Sequence, residues 1–193
     1  SEIIKDTNLK KVNYFIYKNK NYFYYKSNNN FITYKNNEII ILKCPKNAQN
    51  LFVSPDKSKI AYTIKNNLYY SNLIDSSITI TNILDENIIS GQAIHRFEFG
   101  IKEGIFWNNQ SDKIAFYQKD ETDVHNYPIL DINSTPGKLK EIKYPMVGQK
   151  SEYAKIGVYN TKSKKVIYLK TNQEKDDYVS NLKWGEKGDF IYV

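Results

Sequence analysis

Leu51 to Leu73 reads LFVSPDKSKIAYTIKNNLYYSNL, and the fold is decided there. Apolar and polar residues alternate with the period of two that places every second side chain on one face of a strand. Ser54-Pro55-Asp56 suits a type I turn, with serine at the first position and proline presetting φ at the second. Asn66-Asn67 suits a second tight turn, because asparagine tolerates positive φ. The stretch therefore reads as strand, turn, strand, turn, strand.

Reading outward, the pattern recurs. GIFWNNQSDKIAFYQKD (Gly104 to Asp120) and LKWGEKGDFIYV (Leu182 to Val193) each run an apolar strand into a polar turn and out into a second apolar strand. Upstream, Val12 to Tyr17, Tyr22 to Lys26, Phe31 to Lys35 and Glu38 to Leu42 form a meander of short strands. Repetition of four-stranded antiparallel units points to an all-β protein, a β-propeller whose radial repeats protect strand edges. Equivalent turns lie 54 residues apart from Pro55 to Asn109 and 77 from Asn109 to Glu186, so the third unit carries an insertion. LKEIKYPMVGQK (Leu139 to Lys150) is its expected place. The units fall near 10–45, 48–85 and 102–170, with 178–193 a truncated fourth. This partial propeller, about three blades and the start of another, is expected to be a fragment whose open edges favour self-association.

Composition narrows the partners. The 193 residues carry a net charge of +7, yet the lysines are scattered among asparagines, and a phosphate-binding surface favours clustered Lys and Arg. Nucleic acid is not an expected partner. The single cysteine, Cys44, leaves no intrachain disulfide or cysteine-based metal site and reads as a small buried hydrophobe. The longest apolar run, Ile39 to Leu42, is far short of the roughly 20 residues that span a bilayer. No leader follows Ser1, so an export signal is expected upstream. Asp120, Glu121, Asp123 and His125 cluster without a cation-loop signature and read as a turn; no metal or cofactor is expected. Trp107 and Trp184 hold equivalent strand ends and read as packing residues.

One departure from the chain's habits marks a candidate site. Of 28 basic residues only Arg96 is arginine, and it adjoins one of only two histidines in HRFEFG, His95 to Gly100. His95 reads as a satisfied structural histidine, and Phe97 and Phe99 as packing residues that fix the direction of the segment.

HRFEFG, FWNNQSDKIAFYQKDET (Phe106 to Thr122), YPILDI (Tyr127 to Ile132), KYPMVG (Lys143 to Gly148) and IGVYNTKSKKVIYL (Ile156 to Leu169) occur in an order and spacing that resemble the N-terminal propeller of the dipeptidyl peptidase IV family of serine exopeptidases. Within that family the chain is most similar to the bacterial prolyl tripeptidyl peptidase branch. The resemblance implies an eight-bladed propeller capping an α/β-hydrolase with a Ser-Asp-His triad, exported to the periplasm or cell envelope and able to form a homodimer. It implies a peptide with a free N-terminus as substrate, cleaved after proline, and Glu98 as the residue that binds its ammonium. Arg96 then orients Glu98 or touches substrate carbonyls. Lys26 stands where the family places an arginine clamp, although lysine is not an equivalent fork. No G-x-S-x-G elbow occurs, so no residue here is assigned to the triad, and this portion alone is expected to be inactive. The alternative is a non-enzymatic propeller serving as a protein-interaction module.

Overall fold

The computed structural model describes residues 14–19, 22–27, 30–35, 38–171 and 178–193, with side chains described for 30–32, 40–171 and 178–193. The architecture is a succession of antiparallel sheets. Strands β1 (Tyr14–Asn19), β2 (Tyr22–Ser27), β3 (Asn30–Lys35) and β4 (Glu38–Lys43) form the first in simple meander order, and β5 (Gln49–Val53), β6 (Lys59–Ile64), β7 (Asn67–Asn72) and β8 (Ile78–Thr79) the second. The third contains β10 (Ile105–Trp107), β11 (Lys113–Asp120), β14 (Tyr153–Asn160) and β15 (Lys165–Tyr168), with β9 (Ile88–Ser90) also paired to β11. A two-stranded sheet of β16 (Lys183–Trp184) and β17 (Ile191–Tyr192) follows. Between β11 and β14 rises a separate hairpin of β12 (Asn126–Asp131) and β13 (Lys138–Lys143). The insertion therefore starts well before the 139–150 expected from sequence, because Asn126–Asp131 pairs along its whole length with Lys138–Lys143.

Period-two alternation explains how the sheets stack. On β6, Ile60 and Tyr62 enter one core with Phe31 and Leu42 of the preceding sheet and Cys44 just after it, while Ala61 faces the next. On β11, Ile114 and Phe116 join Ala61, Leu68 and Tyr70, whereas Ala115 and Tyr117 face Val179 and Leu182. Each inner strand is thus buried on both faces, and each core lies between consecutive sheets, the packing of a partial propeller.

The repeat is visible in backbone detail. Lys57, Ser111 and Gly188 each donate N–H to the carbonyl three residues earlier, of Ser54, Asn108 and Gly185, at 2.9–3.0 Å. All three have positive φ, the geometry of a type I turn followed by a left-handed residue. The indoles stitch neighbours together: Trp107 Nε1–H donates to Phe52 O and Trp184 Nε1–H to Phe106 O, both at 2.9 Å. The second expected turn is displaced by one residue. Ile64 pairs with Asn67, so Lys65-Asn66 forms the loop and Lys65 takes the positive φ of 51°. Asn67 is occupied elsewhere, accepting from Thr81 Oγ1 and Ile83 N and donating to Ile83 O. No helix among the described residues is long and apolar enough to cross a membrane.

Candidate functional site

β9 and β10 lie end to end along the same edge of β11, and residues 91–104 leave the sheet between them. One residue closes the neck of this loop. Tyr117 O accepts the Gly91 N–H at 2.8 Å, and Tyr117 N–H donates to Gly104 O at 3.1 Å. Gly91 has φ of 75°, and a Cβ there would meet Leu68, Thr63 and Ile105. Gly104 lies so close to the backbone of Gln92 that no Cβ fits. Further in, Ile94 and Ile101 are buried in the core around Tyr117, and HRFEFG projects between them.

The projecting segment is wound the unusual way. His95, Arg96, Phe97 and Phe99 have φ of 49°, 51°, 65° and 55°, and Glu98 between them is extended. Left-handed backbone costs non-glycine residues about 1–2 kcal/mol each, roughly 4–8 kcal/mol over the four. Burial of Ile94 and Ile101 contributes about 3–6 kcal/mol. A hydrogen bond from His95 N–H to the carboxylate of Glu152 adds about 1.5–3 kcal/mol, the range for a charged acceptor. With the carboxylate included, the contributions of about 4.5–9 kcal/mol cover the cost of about 4–8 kcal/mol across its range.

This geometry corrects the expectation for the phenylalanines. Phe97 is 69% exposed and Phe99 60%, because the left-handed winding turns both outward. Phe99 packs on Tyr178 at 5.5 Å, and Tyr178 meets the His95 ring edge-on at 4.6 Å. Glu98, between the two phenylalanines in sequence, is exposed and makes no ion pair or side-chain hydrogen bond with the described residues. Its backbone carbonyl accepts Ile101 N–H at 3.0 Å, so the position of the residue is defined.

Arg96 does not reach Glu98 as an ion pair among the described residues. Its Nη2 donates to Lys143 O at 3.3 Å, and its guanidinium lies 5.0 Å from the centre of the Tyr144 ring. It therefore fastens the loop to the end of the inserted hairpin. Lys26 lies on β2, where the register opposes it to Tyr14 and Phe31, and its side chain falls outside the described residues. The acidic cluster has structural partners instead: Glu121 pairs with Lys119 at 2.7 Å, Asp123 with Lys150 at 3.0 Å, and Asp120 accepts Thr122 N–H.

Beneath the loop, His95 and Glu152 are both 5% exposed. Neither His95 ring nitrogen makes a hydrogen bond of good geometry. Burial lowers the pKa of the imidazole, outweighing Glu152, 3.7 Å from Nδ1, and the nearby Val179 backbone. Its expected hydrogen-bond satisfaction is thus not found. Glu152 Oε2 faces Lys119 at 3.8 Å. Sequence reasoning missed Glu152, which lies 57 residues from His95 in an undistinguished Lys-Ser-Glu-Tyr context.

Comparison with known proteins fits this architecture. A Bacteroides ovatus structure described as a dipeptidyl aminopeptidase IV is 34% identical, with a TM-score of 0.76 over 90% of this chain and 24% of its own. Porphyromonas gingivalis dipeptidyl peptidase 4 shares the fold at 18% identity, with a TM-score of 0.71 over 93% of this chain and 26% of its own. A Penicillium rubens protein described as a probable dipeptidyl-aminopeptidase B is 25% identical over 157 residues, 72% of this chain, which spans 17% of that relative. The model of the dipeptidyl peptidase IV N-terminal region matches residues 5–193, and the chain belongs to that family.

Proposed function

We propose that this chain is the substrate-gating, amine-binding part of a serine exopeptidase that releases N-terminal di- or tripeptides, with cleavage after proline. An α/β-hydrolase domain of the same protein supplies the triad, the enzyme works in the periplasm or cell envelope, and a homodimer is one assembly open to it. The observation that carries this reading is Glu98: an exposed carboxylate, unpaired among the described residues, projected from a loop pinned at both ends and next in sequence to the exposed Phe97 and Phe99. An ammonium is the complementary group. An internal peptide segment has none and leaves the carboxylate without a partner, so the same residue selects chain ends and rejects interior segments. Because the amine sits at a fixed distance from the nucleophile, it also sets how many residues are removed. Arg96 supports the loop from the hairpin side.

The test is Glu98→Gln in the full-length protein, assayed on short proline-containing peptides with free N-termini. Loss of a charge-assisted bond of about 1.5–3 kcal/mol lowers kcat/KM by roughly 10- to 100-fold. The wild-type rate also falls above pH ~8 as the substrate amine deprotonates, and the variant loses much of that dependence. Undiminished hydrolysis by Glu98→Gln refutes the assignment. Absence of peptidase activity in the full-length wild type favours the interaction module.

A further inference from the structure

We propose that Glu152 is a positioning residue for substrate binding, acting through Glu98 by holding the left-handed turn that presents it. This rests on the reading of Glu98 as the amine-binding carboxylate. Glu152 is buried at the start of the third sheet's β14 side, and one oxygen accepts the N–H of His95, the first left-handed residue of the turn. That N–H has no helical or sheet partner, so the carboxylate takes the place of a backbone acceptor. The other oxygen faces Lys119, whose ammonium also binds Glu121 at 2.7 Å, so the buried charge is balanced from β11. Above it the neutral His95 ring is clasped edge-on by Tyr178 and Phe99. The turn is thus tethered from below by Glu152, at its sides by Ile94 and Ile101, and toward the hairpin by Arg96. Of these, only the Glu152 contact meets the backbone of the left-handed residues from outside the loop. A residue placed only to fill space needs no carboxylate there.

Three variants of the full-length protein separate this role from a general structural one. Glu152→Ala removes the acceptor, Glu152→Asp keeps the charge near Lys119 but falls one methylene short of His95 N–H, and Glu152→Gln keeps an oxygen at full reach. Amide exchange across residues 94–101 is expected to accelerate about tenfold or more in the first two, the loss of one bond to a charged acceptor, and to stay near wild type in Glu152→Gln. kcat/KM on peptides with free N-termini falls about tenfold in the same two, mainly through KM, as expected for weakened binding common to ground and transition states. In a Glu98→Gln background the further loss from Glu152→Asp shrinks below about threefold, because interacting sites are not additive.

Unchanged exchange in Glu152→Asp overturns the positioning role whatever Glu98 binds. A kinetic loss that persists in full on top of Glu98→Gln overturns the action through Glu98. Full activity of Glu98→Gln alone refutes the amine assignment, and the exchange measurement then decides whether Glu152 holds the turn. Should Glu152→Ala fail to fold, Glu152→Asp and Glu152→Gln carry the comparison.

Discussion

Gly104→Ala tests whether the neck of the loop is as closed as its geometry says. A Cβ at Gly104 would stand 2.2 Å from both the carbonyl carbon and oxygen of Gln92 and 2.6 Å from its nitrogen, where ordinary contact begins at 3.4 Å. These are backbone atoms, so no side-chain rotation relieves the clash. The chain at Gln92 must retreat by about 1 Å, the order of displacement that overpacking forces on a backbone. The adjoining bonds from Gly91 N–H to Tyr117 O and from Tyr117 N–H to Gly104 O resist that movement. Overpacking at the upper end of its usual range costs about 3 kcal/mol, and the weakening of one neck hydrogen bond about 1 kcal/mol more. For a domain of this size the sum of about 4 kcal/mol lowers Tm by roughly 8–16 °C. Thermal unfolding followed by circular dichroism reads the effect. Gly100→Ala is the control: its Cβ meets nothing within 4 Å, so only the φ of 74° opposes it, at about 1–2 kcal/mol. A Gly104→Ala variant no less stable than Gly100→Ala would refute the closed neck.

Two other predictions concern His95 and the indole stitches. Because burial lowers the folded-state pKa of His95 below its ordinary 6.5, the unfolded chain binds the extra proton first as pH falls. Stability is complete above pH 6.5 and declines below it, with a slope of at most about 1.4 kcal/mol per pH unit, until the folded pKa is reached. Urea unfolding between pH 7 and 5 should show this slope, and His95→Phe, which keeps the edge-on ring, should reduce it; an identical slope in both proteins contradicts the assignment. Trp184→Phe keeps most of the ring but removes the donor to Phe106 O, and is expected to cost about 0.5–1.5 kcal/mol in denaturant unfolding. A change within error would show that the bond between neighbouring sheets contributes nothing net.

Much of the scaffold was legible because its signals are local. The alternation through Lys59–Ile64 and Lys113–Asp120 and the turns at Ser54 and Asn108 are set within a few residues, and the structure follows them. Where local chemistry was shared with a distant partner, reading failed. Asn67 looked like a turn residue but spends both ends of its side chain on residues 81 and 83, leaving Lys65 to take the positive φ. Phe97 and Phe99 looked like packing residues because aromatic side chains are usually buried, and nothing in HRFEFG announces left-handed backbone without glycine. Arg96 and Glu98 stood out by composition and resemblance. Glu152 could not, since its significance exists only once β14 has been laid beside β11 and the loop folded over both.

The third sheet sends out two long excursions, residues 91–104 on one edge of β11 and the hairpin between β11 and β14, and they meet at Arg96–Lys143. β11 and β14 pair over eight residues, so the exposed parts of the two excursions, beyond the buried Ile94 and Ile101 and the neck at Gly91 and Gly104, are where sequence can vary most freely. They are not free of each other. A substitution in the hairpin that moves Lys143 or Tyr144 alters what Arg96 holds, so the shape of the 95–100 turn and the character of the hairpin should drift together over evolution, as a pair of coupled traits.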